Sequence, residues 1–83
     1  MNTLLRQEPR ILTQGMLGPD VTDWQRDLHR LNFDIVIDGW FGPQTRDRTM
    51  SLQQDFGVPT TGMADERTRD IVDALLTYFF GSD

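Results

Sequence analysis

Two short stretches of the chain repeat each other at a distance of 23 residues, and this repeat constrains the fold most. A shift of 23 positions lays Gly39 on Gly62, and it lays the Thr-Arg-Asp tripeptide at 45–47 on an identical tripeptide at 68–70. Glycine adopts backbone angles that a side chain would penalise, and a threonine early in a helix can pack its methyl group. The repeat therefore predicts two copies of one corner, each made of an extended piece, a glycine turn and a helix start.

Apolar residues at helical spacing predict three amphipathic helices, at 19–32, 43–56 and 66–80. The stripe of the first helix is Val21, Trp24, Leu28 and Leu31. The stripe of the second is Thr45, Thr49, Leu52 and Phe56, and the apolar face of the third is Ile71, Val72, Leu75, Leu76 and Phe79. Each helix thus has one face with which to form a common core.

Glycine, proline and a capping aspartate mark where these helices begin and end. Pro19 and Pro43 suit the first position of a helix, and Asp65 suits the capping position of the third. Gly57 and Gly81 suit helix termination. The chain is therefore predicted to be all-α, a small three-helix bundle with an internal pseudo-repeat.

The predicted organisation is an N-terminal arm at 1–14, one domain at 15–80 and a tail at 81–83. The chain has 83 residues, which favours one domain with one small core. Its 13 acidic and 8 basic residues give a net charge of −5, which argues against nucleic acid and anionic membrane surfaces as partners. No apolar run is long enough to span a bilayer, and the N-terminus does not have the pattern of a secretory signal.

The stretch DGWFGPQT at 38–45 places two large aromatic residues, Trp40 and Phe41, in the loop before the second helix. Adjacent rings in such a loop cannot both be buried on the same side. We expect Phe41 to turn towards the core and Trp40 to point outward, as a platform for a sugar face or as an anchor for a protein. Alternatively, Trp40 lies over the first helix or the arm as peripheral core.

No residue pattern in the chain supports catalysis. The single histidine, His29, lies off the apolar stripe of the first helix and is expected to be exposed. There is no cysteine and no pair of histidines to form a zinc site. Asp34 and Asp38 could resemble a glycosidase carboxylate pair, but both fit loop and turn positions better. We therefore expect no enzyme activity, no metal and no cofactor.

Residues 15–76 resemble the peptidoglycan-binding domain family, the small three-helix modules of cell-wall amidases, lytic enzymes and phage endolysins. The resemblance rests on the motif at 38–45, on the segment at 18–28, on Gln53, and on Gly62 with Thr68 in the second half. The chain departs from the family pattern at four places, where Trp24 replaces Leu, Asn32 replaces Gly, Arg48 and Thr49 replace Ala and Val, and Leu52 replaces Phe.

This resemblance implies a non-catalytic module that binds peptidoglycan, through its glycan or its stem peptide, at the cell wall or on the extracellular side, and that serves a lytic enzyme or a phage particle. Trp40 would stack on a sugar, Arg46 and Arg48 would pair with stem-peptide carboxylates, and glutamines would donate to acetamido groups. The predicted binding residues are Gln25, Asp38, Gly39, Trp40, Gln44, Arg46 and Arg48. The alternative is a structural or adaptor protein of a virion or another assembly, with other protein subunits as partners. The exposed aromatics expected at Tyr78 and Phe80 would suit that role.

Overall fold

The computed structural model describes residues 10–81. They form three helices, α1 (Pro19–Arg30), α2 (Pro43–Asp55) and α3 (Glu66–Phe80), and no strand occurs among them. Each helix begins at its predicted residue and ends within two residues of the predicted end. The predicted all-α fold is therefore confirmed.

The three helices begin in two different ways. Pro19 and Pro43 are the first residues of α1 and α2, and neither helix has a side-chain cap. Proline lacks the backbone N–H that would have no partner in a first turn, so its presence there reduces the need for a cap. In α3 the carboxylate of Asp65 accepts a hydrogen bond from the backbone N–H of Thr68 at 3.0 Å. This bond is the N-cap that the sequence predicted.

The core lies where α1 packs against both other helices. Its buried apolar residues are Leu12, Val21, Trp24, Leu28, Ile35, Phe41, Leu52, Ala64 and Val72. Leu31, Leu75 and Leu76 pack at its edge. The predicted stripes of the helices thus supply most of the core.

Two departures from the family pattern compensate for each other inside this core. The indole Nε1–H of Trp24 donates to the hydroxyl of Thr49 at 3.0 Å, and that hydroxyl donates to the backbone carbonyl of Thr45 at 2.8 Å. Trp24 and Thr49 are both buried. A buried indole N–H needs an acceptor, and threonine supplies one where valine could not.

Two aromatic residues that were predicted to face the core are exposed instead. Phe79 is 62% exposed and Phe56 is 48% exposed. Burial along α3 ends at the partly buried Leu76, so the last turn extends beyond the core. Phe56 lies after the last residue of α2, where the backbone no longer follows the helical stripe. The spacing of apolar residues gave the correct face but not the point at which the core ends.

The segment before α1 pairs with both glycine corners, the first at 38–45 and the second at 61–68. Leu12 forms an isolated antiparallel bridge with Ala64, and Leu17 forms another with Trp40. Leu12 is 1% exposed and belongs to the core. The part of the predicted arm from residue 10 onward is therefore packed on the domain, whereas residues 1–9 and 82–83 of the predicted arm and tail lie outside the described residues.

Candidate functional site

The first corner, residues 38–45, turns one aromatic ring inward and the other outward. Phe41 is fully buried, and Trp40 is 46% exposed. Two backbone hydrogen bonds fix the chain at Phe41. The N–H of Phe41 donates to the carbonyl of Met16 at 2.9 Å, and the N–H of Gly15 donates to the carbonyl of Phe41 at 2.8 Å. The corner thus directs Phe41 into the core and leaves Trp40 on its outer side.

Two glycines make room for this arrangement. Gly39 has a φ of 81°, in the left-handed region that favours glycine, and an added Cβ would lie 3.0 Å from the hydroxyl of Thr22. An added Cβ at Gly42 would lie 2.6 Å from the indole ring of Trp40. The indole therefore rests on the backbone at Gly42. Gly62 in the second corner has a φ of 77°, so the predicted pair of glycine turns is confirmed.

Gln25 holds the first corner from inside the domain. Its side-chain oxygen accepts the backbone N–H groups of Asp38 and Gly39 at 3.0 and 2.9 Å. Its NH2 group lies within hydrogen-bonding distance of the Trp40 carbonyl, the Thr45 hydroxyl and the Asp38 carboxylate, at 2.8, 2.9 and 3.1 Å. Gln25 is fully buried. It therefore positions the loop, which corrects the prediction that Gln25 donates directly to a ligand.

Gln53 repeats this arrangement in the second corner. Its oxygen accepts the backbone N–H of Gly62 at 2.9 Å, and its NH2 group donates to the hydroxyl of Thr68 and the carbonyl of Met63, both at 3.0 Å. The hydroxyls of Thr45 and Thr68 thus play the same part in the two corners, because each accepts from the buried glutamine. The pseudo-repeat thus consists of two glycine turns, each held by one buried glutamine amide.

Asp38 is the exposed charged residue of the first corner. One of its carboxylate oxygens accepts the backbone N–H of Trp40 at 3.0 Å as well as the NH2 group of Gln25. These two bonds lower the pKa of the Asp38 carboxyl below its ordinary value, and the bond from Trp40 has the larger effect. The carboxylate is therefore anionic at neutral pH and lies beside the exposed indole.

A shallow groove of about 270 Å³ runs along this corner. Its lining residues are Val36, Asp38, Trp40, Gly42, Pro43, Gln44 and Thr45. Gln44 closes one side, because its side-chain oxygen accepts the backbone N–H of Val36 at 2.8 Å. The groove thus brings together three of the predicted binding residues, Asp38, Trp40 and Gln44, while Gly39 shapes the turn behind them.

Arg46 and Arg48 do not line this groove. The Nε–H of Arg48 donates to the backbone carbonyl of Asp34 at 2.8 Å, so this arginine ties the loop before the motif to α2. The stem of Arg46 lies against the second corner, where its Cγ would be 2.9 Å from a Cβ added to Gly62. The sequence placed both arginines one turn from Trp40, but the direction of each side chain depends on loops distant in the chain.

Leu17 and Val36 are exposed apolar residues beside Trp40 that sequence reasoning missed. Leu17 is 68% exposed, and the bonds from Gly18 to Gly39 and from Phe41 to Met16 flank its pairing with Trp40. In an antiparallel pair flanked in this way, the two side chains lie close together on one face. The signal for Leu17 is long-range pairing, which no local motif reveals.

A second recess of about 210 Å³ lies between α1 and α3 and is mainly acidic. Its lining residues are Leu12, Asp20, Asp23, Trp24, Asp27, Arg69 and Asp73. Arg10 forms a two-bond ion pair with Asp20, at 2.8 and 2.9 Å, and this pair lowers the pKa of Asp20. Burial, and then the charge of Asp73, raises the pKa of Asp27. Within residues 10–81, no group of His, Cys, Asp or Glu side chains has an arrangement that could hold a metal ion.

The chain matches one protein-family model and several solved structures. Residues 18–72 match the family model described as "Putative peptidoglycan binding domain". The crystal structure of the SleB N-terminal domain superposes with a TM-score of 0.77 at 27% identity, over 84% of this chain and 97% of that one. A search of curated protein sequences finds no match.

Two similar structures are longer proteins. A peptidoglycan-binding protein from Clostridioides difficile, in complex with glutamine hydroxamate, superposes with a TM-score of 0.77 at 27% identity, over 80% of this chain and 42% of that one. The endolysin of Burkholderia phage AP3 superposes with a TM-score of 0.76 at 32% identity, over 80% of this chain and 25% of that one. The chain thus spans less than half the length of either protein. None of the helices in the described part is long and apolar enough to cross a membrane.

Proposed function

The chain belongs to the peptidoglycan-binding domain family, and from this membership we propose that it is a non-catalytic module that binds the bacterial cell wall. It would act at the wall or on the extracellular side and tether a lytic enzyme or a phage particle to murein. The similarity to part of a phage endolysin supports this role. The absence of enzyme activity belongs to the same proposal, as does ligand binding by the predicted residues that line the groove, Asp38, Trp40 and Gln44.

One observation carries the proposal, namely that a fixed loop holds the indole of Trp40 half-exposed on the wall of a groove. Its neighbour Phe41 anchors the loop in the core, and the amide of Gln25 fixes the backbone on both sides of Gly39. Binding of a ligand at Trp40 therefore requires little loss of conformational entropy from the protein. An aromatic face with polar groups at its edge is a common binding surface.

The size of the Trp40 contribution follows from its exposed area. A tryptophan side chain buries up to about 250 Å², so covering the 46% that is exposed removes roughly 100 Å² from water. At about 25 cal/mol per Å² this is about 2.5 kcal/mol, or a factor of roughly 60 in affinity as an upper figure. Replacing Trp40 should therefore have a large effect on binding and a small one on the fold.

Retention on purified murein sacculi tests the proposal. We expect the wild type to be retained, and Trp40→Ala to lose at least about tenfold in affinity while its unfolding transition stays cooperative. Tyr78→Ala is the matched control, because Tyr78 is an aromatic residue that is 81% exposed and lies outside the groove. Equal loss in both variants, or no retention of the wild type, would reject wall binding through this groove.

A second candidate function, the assembly adaptor, is favoured by the end of α3. Tyr78, Phe79 and Phe80 are consecutive and 81, 62 and 55% exposed. The rings of Tyr78 and Phe79 pack edge to face at 5.2 Å, and Arg30 lies 4.6 Å over the ring of Phe80. Exposed aromatic clusters are typical of protein contacts. Light scattering that showed oligomers dependent on Tyr78, in a chain not retained by sacculi, would support this function instead.

A further inference from the structure

The groove beside Trp40 contains a single charged side chain among its lining residues, the carboxylate of Asp38. Arg48 is bound to the carbonyl of Asp34, and Arg46 lies against the second corner. The groove therefore offers negative charge and no cation to a ligand. A carboxylate placed there would meet like charge without a compensating guanidinium.

Gln44 supplies the hydrogen-bond donors of the groove. A backbone N–H can only donate, so the bond from Val36 requires that the side-chain oxygen of Gln44 faces Val36. The NH2 group of Gln44 then faces away from that bond, and within the described residues it has no acceptor. Gln44 is exposed, so both of its N–H donors are available to a ligand. An amide carbonyl is a suitable acceptor for them.

Three features thus converge within one groove, namely an apolar ring, a pair of amide donors and an anionic acceptor. An N-acetylated sugar has the complementary groups. Its pyranose C–H face can cover the indole of Trp40, its acetamido carbonyl can accept from Gln44, and its hydroxyls can donate to Asp38. Such a sugar brings no charge of its own into the groove.

We propose that this groove binds an N-acetylated sugar of the glycan strand and not the carboxylate-bearing stem peptide. The inference rests on the wall-binding function proposed above and assigns the part of murein that is recognised. The free oxygen of Asp38 and the net charge of −5 both disfavour the anionic peptide. Leu17 pairs with Trp40, and Val36 lines the same groove, so these two exposed side chains extend the apolar surface around Trp40, as a chain of linked sugars would require.

The test titrates the full chain with two soluble probes and follows the backbone amide signals by NMR. One probe is a neutral tetramer of N-acetylglucosamine, and the other is the free murein stem tetrapeptide. We expect the tetramer to shift the signals of residues 36–45 in a saturable manner. We expect the tetrapeptide to leave them unchanged at the same concentration.

Gln44→Glu is the decisive variant because it keeps an oxygen for the N–H of Val36 but removes both donors. We expect it to weaken tetramer binding by roughly five- to tenfold, as the loss of one or two hydrogen bonds predicts. Gln54→Glu is the matched control, since Gln54 is exposed on the same helix and lies outside the groove. It adds the same charge and should bind as the wild type does.

Retention on sacculi separates failure of this inference from failure of wall binding. If sacculi retain the protein but its signals at 36–45 respond only to the tetrapeptide, the sugar assignment is overturned and wall binding stands. A response to the tetramer without retention on sacculi would support the sugar site and reject murein as its source. Equal tetramer affinity in the wild type and Gln44→Glu would overturn the assignment of Gln44 and with it the proposed site.

Discussion

Replacing Gln25 by leucine should separate the stability of the domain from the order of the loop at 38–45, where we propose that the ligand binds. Gln25 accepts two backbone N–H groups, from Asp38 and Gly39, and donates its two hydrogens among three acceptors around Trp40 and Thr45. Four hydrogen bonds can therefore form at once. Leucine fills a similar volume and leaves all of these groups without the amide.

The expected cost follows from that count. Each bond contributes about 1 kcal/mol net, and an abandoned buried group costs about 1–3 kcal/mol. Because Asp38 and Trp40 are exposed, water can replace the hydrogen bonds that their groups lose with Gln25. The hydroxyl of Thr45 is buried, so water cannot replace its bond in the same way. We therefore expect Gln25→Leu to lower the free energy of unfolding by about 3 kcal/mol. A domain of 83 residues has about 4–12 kcal/mol in total, so the variant should still fold in the cold.

Urea unfolding and sacculus binding, both at low temperature, measure the two effects. With a slope near 1 kcal/mol/M, the midpoint should fall by about 3 M. Gln53→Leu is the internal control, because Gln53 has the same buried role in the second corner, away from the groove. We expect both variants to lose stability, and only Gln25→Leu to bind sacculi less tightly.

Two results would refute this reasoning. A midpoint that falls by less than about 1 M would mean that the Gln25 bonds contribute little, because water replaces them at similar free energy. Equal loss of sacculus binding in Gln25→Leu and Gln53→Leu, with both variants folded, would mean that binding depends on the whole domain. The first corner would then have no special role.

Two further predictions concern the core and the acidic recess. Thr49→Val should lower the free energy of unfolding by about 1–3 kcal/mol, because it leaves the buried N–H of Trp24 without an acceptor, and a double-mutant cycle with Trp24→Leu should show coupling between the two positions. Burial and the charge of Asp73 raise the pKa of Asp27 above its value in the unfolded chain, so the folded state disfavours the ionised form. The free energy of unfolding should therefore rise as the pH falls through the folded pKa of Asp27. Asp27→Asn should raise the melting temperature at pH 7, and in this variant the rise in unfolding free energy at low pH should be absent. An unchanged pH profile in Asp27→Asn would contradict the second prediction, and additive effects in the cycle would contradict the first.

The helices and corners could be predicted because their signals are local. A proline fixes the first turn of α1 and of α2, and the glycines at 39 and 62 each meet a backbone angle that other residues avoid. The same locality explains the outward indole, since adjacent rings in this short loop cannot both be buried on one side and Phe41 occupies the core.

The role of Gln25 was not predictable from local signals. Its partners lie 13 to 20 residues away, and an amide on a helix looks the same in sequence whether it meets a ligand, water or a loop. Arg48 shows the same limit, because its long side chain reaches a carbonyl 14 residues back in the chain instead of the groove one turn away. Phe79 shows a third limit, since apolar periodicity continues along α3 after the core has ended.

The two corners fill the core in different ways, and this difference bears on why Trp40 is exposed. In the second corner the residue equivalent to Phe41 is Ala64, which is fully buried, and its partner Leu12 supplies apolar bulk from the segment before α1. In the first corner Phe41 supplies that bulk itself, so its outer neighbours Trp40 and Leu17 are not needed for packing. A large apolar surface that the core does not require, held on a corner fixed from inside by a buried amide, is better explained by a ligand than by stability. This reasoning predicts that Leu17→Ser, at a position 68% exposed, leaves the melting temperature nearly unchanged but weakens retention on sacculi, and a drop of many degrees would show instead that Leu17 belongs to the core.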